Sequence, residues 1–359
     1  MKIIHTGDIH IGSPFKWLPQ DKANMRQREI VDAFFRMVSY AKEEGIDAVL
    51  IAGDLFDNSF VSDSVTNEVA TILQNASPVQ FYLVFGNHDG GAKLPFIPQN
   101  VHTFNTSSFS TYEIGQGVFV TGVDTVYLTN ALLNVPALDE NRFHIMLLHG
   151  QAVQNTKNQA EDIPLAQIGA LPVDYLALGH IHKPTPYAIS FSARGKYRYC
   201  GCLESRGFDE IGNRGFFQLT IENNRIIEEK FLSVATRQVI EKQVDISSAT
   251  TYFDMERLVL LALDNVSKKD MVKISLTGRY QPTLKKDLNL LFHRVAPNYF
   301  GCKVEDYSTL QMDYSAYEND VTERGEFIKA VTRYEMNDKL RAEVLEVGLK
   351  ALAGENIDL

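Results

Sequence analysis

Short clusters of aspartate, histidine and asparagine recur in order between residues 8 and 182: Asp8-Ile9-His10, Gly53-Asp54-Leu55-Phe56-Asp57, Gly86-Asn87-His88-Asp89, His149-Gly150 and Gly179-His180-Ile181-His182. Their donors are oxygens and imidazole nitrogens without a thiolate, a set that suits manganese, iron or zinc in a hydrolytic centre. Two dications ~3.5–4 Å apart need a bridging anion, and a water shared between them is a hydroxide near neutral pH that attacks phosphorus in line. A lone Asp or His at a strand end is more often a cap or a satisfied core group. It is the ordered set that points to a two-metal centre.

Each cluster follows a short apolar run that predicts a buried strand: Lys2-Ile3-Ile4, Ala48 to Ala52, Phe81 to Phe85, Ile145 to Leu148 and Tyr175 to Leu178. Ligand-type residues at the carboxyl ends of successive buried strands converge on one sheet edge, where open α/β folds place their sites. Gly53, Gly86, Gly150 and Gly179 permit tight turns there. On an extended segment His180 and His182 would share a face, so a turn after Leu178 must separate them. Helical stripes run from Arg26 to Lys42 and from Ser62 to Asn75, and strands return from Val101 to Val126 and from Tyr187 to Leu232. Alternating elements followed by hairpins predict two packed sheets with helices outside.

A chain of 359 residues predicts two or three domains. No apolar run approaches the ~20 residues that span a bilayer, so no membrane insertion is expected. The N-terminus lacks a signal-peptide layout and the cysteines are three, which predicts a cytoplasmic protein. A thiolate metal or redox site at Cys200-Gly201-Cys202 would need further partners that are not nearby in sequence. Net charge is −10, which argues against a simple nucleic-acid coat. Yet Lys268 to Lys303 holds eight basic residues, including Lys269, Lys285 and Lys286, against two acidic ones, which fits a phosphate-contacting surface or an ordinary solvated face. After about residue 236 the pattern predicts a small α/β unit over 237–310: a strand near Gln243–Ile246, a helix from Tyr252 to Asn265, a strand at Met271–Leu276, a helix from Leu284 to Ala296 and a strand at Phe300–Tyr307. Residues 311–359 read as a tail with two amphipathic helices, lined by Phe327, Ile328, Val331 and Tyr334, then by Leu340, Val344, Leu345, Leu349 and Leu352.

The order and spelling of the clusters resemble the calcineurin-like metallophosphoesterases, and within them the SbcD-type exonucleases of double-strand-break repair. The resemblance implies a four-layer αββα sandwich over 1–236, a small α/β capping domain that recognises DNA, and a helical tail. It implies that Asp54 bridges two ions, that Asp8, His10 and His182 complete one, and that Asn87, His149 and His180 complete the other. His88 then matches the catalytic acid, with Asp89 orienting its ring and raising its pKa. Manganese is the expected metal, with iron or zinc as alternatives. DNA, an SbcC-class coiled-coil ATPase gripped by the tail, and a second copy of the chain are the expected partners. In two places the sequence departs from the pattern. Asp57 stands where some double-strand-break nucleases have a histidine that assists exonuclease action, and Tyr199 to Glu204 carries cysteines where relatives read Pro-Gly-Ser. Arg206-Gly207-Phe208-Asp209-Glu210 is similar to a bacterial YhaO-like subgroup.

The expected activity is therefore metal-dependent cleavage of DNA phosphodiesters, exo- or endonucleolytic. The same core hosts many substrates, so a phosphodiesterase or phosphatase for small nucleotides is the rival enzyme. An inactive recruiting scaffold is the rival of another class, and retention of the full ligand set and of His88 weighs against it.

Overall fold

The strands placed before the clusters form the centre of a first unit, Met1–Gln238. A computed structural model describes residues 1–57, 61–89, 94–124, 134–154, 161–281, 283–311, 317, 319–352 and 354. The unit contains β1 (Lys2–Thr6), β2 (Ala48–Ala52), β3 (Gln80–Val84), β4 (Val101–Thr103), β5 (Ser110–Gly115), β6 (Val118–Gly122), β7 (Phe143–His149) and β8 (Gln151–Val153). It continues with β9 (Asp162–Pro164), β10 (Tyr175–Gly179), β11 (Ile189–Ser190), β12 (Lys196–Tyr199), β13 (Gly215–Glu222) and β14 (Arg225–Ser233). Its helices are α1 (Gln20–Glu43), α2 (Asp63–Asn75) and the one-turn α3 (Leu165–Ile168). Two six-stranded sheets result, in the orders β14-β13-β1-β2-β3-β4 and β11-β12-β10-β7-β6-β5.

Alternation along each strand divides the side chains between layers. On β2, Val49 and Ile51 pack with Ile30, Phe34 and Met37 of α1 and Val69 and Leu73 of α2. Ala48, Leu50 and Ala52 point the other way and meet Ile145, Leu147, Tyr175 and Ala177 of the second sheet. The second sheet's outer face, with Met146, Leu148, Leu176 and Leu178, is covered by Ile163, Leu165 and Ile168. The α/β sandwich is the expected one, but among the described residues its fourth layer is reduced to α3. Both sheets are buried on both faces, which is why their central strands read as continuous apolar runs. Helix α1 begins six residues before the stripe at Arg26, because its first turn is polar and leaves no periodic signal.

Register brings the clusters level. Thr6 pairs with Ile51, Ala52 with Val84, and His149 with Gly179, so the residues beyond them emerge at matched heights. Between the sheets, the fully buried His5 of β1 contacts the Tyr175 hydroxyl at 2.9 Å and the Leu178 carbonyl at 3.2 Å on β10. Burial lowers its pKa to about 3, so it stays neutral and serves as a tie between the sheets.

The second unit is Val239–Leu359. It runs β15 (Val239–Asp245), α4 (Tyr252–Leu263), β16 (Met271–Thr277), β17 (Arg279–Tyr280), α5 (Leu288–Val295), β18 (Gly301–Asp306), β19 (Thr309–Leu310), α6 (Glu323–Arg333) and α7 (Asp338–Leu352). Strands β15, β16 and β18 form a parallel sheet with β16 in the middle. Helix α4 starts at a capping box of Thr251 and Asp254. Helix α5 starts later than Leu284 because Asp287 accepts the Leu290 amide hydrogen at 2.8 Å and caps it there.

The tail, read from sequence as separate from 237–310, groups with this unit: α7 lies against β19. Ile328, Val331 and Leu345 are buried together, with Phe327, Val344 and Leu349 packed on them. Tyr334, Leu340 and Leu352 of the expected stripes stay exposed, as does Val347.

The cationic stretch is less cationic in space than in sequence. Lys273 pairs with Glu241 and Glu305, Lys303 with Glu305, and Arg294 with Glu256. Lys286, expected to meet DNA, lies instead 2.6 Å from Asp306 and over the Tyr280 ring, with its side chain only 9% exposed. Its charge is engaged inside the unit. The partners come from strands and a helix remote in sequence, which a linear count cannot register. Lys268, Lys269 and Lys285 remain exposed. Among the described residues no helix is long and apolar enough to cross a membrane.

Candidate metal centre

Where the strands end, the backbone leaves the usual regions. Asp8, His10, Asp54 and His180 have φ of 47°, 52°, 50° and 91°. Non-glycine residues there are uncommon and carry strain of order 1–3 kcal/mol each, held in place by surrounding structure. The loops after β1 and β2 run side by side, with the amides of Asp8, His10 and Ile11 donating to the carbonyls of Gly53, Asp54 and Leu55 at 3.0, 2.9 and 3.0 Å. Two of the glycines are required by space rather than by turn conformation. A Cβ at Gly86 would stand 2.2 Å from Asp54 Oδ1, and one at Gly179 would stand 1.9 Å from the Ala52 carbonyl oxygen.

Each central carboxylate is held by one oxygen and presents the other. Asp8 Oδ1 accepts the His180 amide hydrogen at 2.7 Å, and Asp54 Oδ1 accepts that of His88 at 2.9 Å. Asp54 Oδ2 lies 3.4 Å from His10 Nε2 and 3.4 Å from His149 Nε2. Three imidazoles are oriented through their other nitrogen: His10 Nδ1 to Asp57 at 2.9 Å, His149 Nδ1 to the Ala52 carbonyl at 2.9 Å, and His182 Nδ1 to Glu210 at 2.6 Å. That arrangement fixes the tautomer and aims each Nε2 lone pair inward, as in metal-ligating histidines generally. Inward they meet: His10 Nε2 is 3.1 Å from His182 Nε2, and His149 Nε2 is 2.9 Å from Asn87 Oδ1.

These residues fit divalent ions on three grounds. Donor atoms bound at about 2.0–2.1 Å stand about 3.0–3.4 Å apart around one ion, which is the spacing found. Asp8 Oδ2 is buried without a hydrogen-bond partner, and two facing imidazole lone pairs repel unless a proton or cation stands between them. Burial pushes the Asp8 carboxyl up to about 6 and the His10 imidazole down to about 4, so near neutral pH His10 offers a lone pair and Asp8 carries a charge that burial makes costly until a cation offsets it. Asp8, His10 and His182 could hold one ion, and Asp8, Asp54 and His149 group together for another. Cys200 and Cys202 are buried thiols whose pKa burial raises well above the usual value, and they join no such group among the described residues.

One expected role changes. Asp89 does not orient His88: its oxygens accept the Phe56 amide at 2.8 Å and the Gly86 amide at 2.6 Å, so it braces the loop from beneath. Burial raises its pKa to about 7. Neighbours in sequence point apart across this turn, and the carboxylate nearest His88 is Asp57, at 3.8 Å from Nδ1. His88 is half-exposed and stands edge-on to His10 with ring centres 4.9 Å apart. His180, expected as a ligand of the second ion, stands edge-on to His149 with ring centres 5.4 Å apart, and its Nε2 lies 3.5 Å from Glu161.

Arg206 and Glu210 were not foreseen as part of the site. Arg206 Nη1 is 2.7 Å from Asp57, Nη2 is 3.1 Å from His182 Nδ1, and Nε is 3.8 Å from Glu210. One guanidinium thus touches both carboxylates that orient His10 and His182. Burial opposes the charge on Glu210, yet the His182 hydrogen bond and nearby positive charge hold its pKa at about 2. Behind them the buried Arg26 of α1 binds Glu204 and the Ser205 carbonyl, anchoring the segment. The sequence signal was the run Arg206-Gly207-Phe208-Asp209-Glu210, quoted above for its resemblance to a YhaO-like subgroup but given no role in the site.

Two packed, mostly parallel sheets with helices outside bring oxygen and imidazole side chains together at their carboxyl edge. The chain belongs to the calcineurin-like phosphoesterase family, whose model matches residues 1–184. It is 28% identical over 249 residues to a metallophosphoesterase of Bacillus subtilis, YhaO, described as uncharacterized; the match covers 64% of this chain and 59% of that protein. Among solved structures it is similar to TT1561 of Thermus thermophilus, with 12% identity, TM-score 0.40, and 64% and 98% of the two chains covered. It is similar too to a dimetal phosphatase from Danio rerio, with 11% identity, TM-score 0.41, and 61% and 92% covered.

Proposed function

We propose that the chain is a cytoplasmic, manganese-dependent DNA nuclease, cleaving phosphodiesters at the cluster around Asp54 with His88 as the acid. The observation that carries phosphodiester hydrolysis is the convergence of the His10, His149 and His182 Nε2 atoms on Asp54 and Asp8. Two divalent ions bound there supply charge stabilisation and an activated nucleophile for in-line displacement. The chain's own part is positional. Asp57, Glu210 and the Ala52 carbonyl set the imidazoles, Arg206 fixes both carboxylates, and His88 stands beside His10 with an open face from which to protonate a leaving alkoxide. DNA as substrate rests on the resemblance of the clusters to SbcD-type nucleases. Labelled duplex DNA incubated with manganese, beside a mononucleotide and bis(p-nitrophenyl) phosphate, tests it. Release of nucleotides from DNA supports the reading, and turnover of small substrates alone removes it.

The second reading, a small-nucleotide phosphodiesterase, is favoured by a cavity of about 290 Å³ beside His149, lined by Phe85, Asn87, Thr106, Asp124 and Glu161. That volume lies at the low end for small-molecule sites.

The second unit carries 16 Lys and Arg against 20 Asp and Glu, so any DNA contact there is local. Replacing Lys268, Lys269 and Lys285 with Gln is expected to lower the log–log salt slope of duplex binding by up to about 2.7, at roughly 0.9 for each phosphate left without its lysine. Lys286 is left in place because its ion pair belongs to the fold. Binding isotherms across a salt series check this; an unchanged slope makes those lysines a solvated face.

For the tail, we propose docking to an SbcC-class ATPase, or to a second copy, through the exposed side of α7. Leu340 and Val347 are seven residues apart on one face and are 46% and 39% exposed. Leu340→Glu with Val347→Glu is expected to abolish co-purification with the ATPase of the same organism while leaving the melting temperature and basal hydrolysis unchanged. Retained binding shows that this face does not dock the partner.

A further inference from the structure

The single tryptophan, Trp17, stands in the loop between β1 and α1 with 44% of its surface exposed. The loop beneath it is fixed. Phe15 is buried, at φ 46°, with the Arg26 guanidinium 5.6 Å from its ring centre, and Gln27 donates to the Ser13 carbonyl at 3.0 Å. Trp17 packs beside Phe208, with ring centres 4.9 Å apart and planes at 52°. Its indole N–H donates to the Arg206 carbonyl at 3.4 Å, and the side chain of that same arginine lies against Asp57 and His182. A continuous path thus runs from the His10–His182 pair, through Arg206, to a half-open aromatic shelf.

We infer that Trp17 and Phe208 form a stacking shelf for an unpaired nucleobase next to the phosphate being cleaved. The inference rests on the phosphoesterase reading of the metal centre and deepens it, by assigning the substrate class as a nucleic-acid strand with at least one unstacked base. A phosphate held at the metal centre has an organic group on either side, and one of them would reach a flat aromatic surface one side chain away. A nucleobase fits that surface through its π-face, whatever its sequence. The exposed Lys16 beside Trp17 supplies positive charge for an anionic backbone. A sugar phosphate or a phosphopeptide would leave the shelf empty.

Trp17 is its own reporter. Adding hexathymidylate with phosphorothioate linkages, which resist cleavage, to the metal-loaded full chain is expected to quench its fluorescence saturably, whereas an abasic hexamer of equal charge and linkage leaves it unchanged. On the manganese-loaded protein, Trp17→Ala is expected to raise KM for hexathymidylate roughly 10- to 100-fold, the scale of one missing base–aromatic stack, with Trp17→Phe restoring most of it. Cleavage of the abasic hexamer and metal content stay at wild-type levels in both variants. Equal quenching by the abasic hexamer, or an unchanged KM in Trp17→Ala, overturns the shelf. If the wild type cleaves no oligonucleotide, the nuclease reading fails instead, and the fluorescence comparison, which needs no turnover, still decides the shelf.

Discussion

Asp54→Ala is expected to end metal-dependent phosphodiester cleavage altogether and to leave the protein without either ion. Asp54 is the one carboxylate whose oxygen stands at equal distance, 3.4 Å, from imidazoles on both sides of the cluster. Two dications at about 3.5–4 Å repel strongly, and removing the anion between them leaves nothing to offset that repulsion. Alanine also loses the acceptor for the His88 amide and places a Cβ-bearing residue without a polar side chain at φ 50°. Asp54→Asn separates the causes, since asparagine tolerates that backbone and retains an acceptor while removing the charge. Elemental analysis and turnover of bis(p-nitrophenyl) phosphate are the measurements. Full metal content in Asp54→Asn would show that the carboxylate is not the bridge.

His88→Ala should behave in the opposite way, keeping both ions and losing roughly 10²–10⁴-fold in kcat on DNA, the scale of one general acid. His88 is joined to Asp54 through its backbone amide, and its half-exposed ring meets His10 edge-on; the ring groups with His10 and Asp57 rather than with Asp8 and Asp54, so both expected ions keep their central carboxylates without it. The leaving group then discriminates. A DNA alkoxide must be protonated as it departs, whereas p-nitrophenolate is stable without a proton. The variant should therefore be far closer to wild type on the chromogenic diester than on DNA. Equal losses on both substrates, or loss of metal, would refute the role of acid.

The cluster residues were legible only as an ordered set, because each follows a strand whose apolar run announces itself, whereas a single Asp or His there would carry no such signal. Asp8, His10, Asp54 and His149 sit where the order of clusters put them. Their support was not legible. Asp57, Glu210 and Arg206 meet only when the chain has returned across 149 residues, and no periodicity links them. Asp89 was misassigned because adjacency to His88 in sequence is separation in space across that turn. In the cationic stretch, Lys273 and Lys286 are engaged by Glu241, Glu305 and Asp306 from other elements, while the DNA contact expected of Lys268, Lys269 and Lys285 stays a proposal. Strand register and turn direction were the missing variables, and both are set by tertiary packing.

The carbonyl of Ala52 touches His149 of the opposite sheet, and Gly179 comes so near it that a single methyl group would not fit. At this edge the Ala52 carbonyl holds the two sheets in contact through the His149 side chain and the close approach of Gly179. The interval between the ligands of one sheet and those of the other is therefore set by how thick the apolar filling between them is. Leu50, Leu147 and Ala177, buried in that filling, act as the ruler of the metal centre. Such interiors transmit rather than absorb a change of one methylene. A substitution among them, distant from any ligand, would change the gauge to which the site is built before it noticeably weakened the fold.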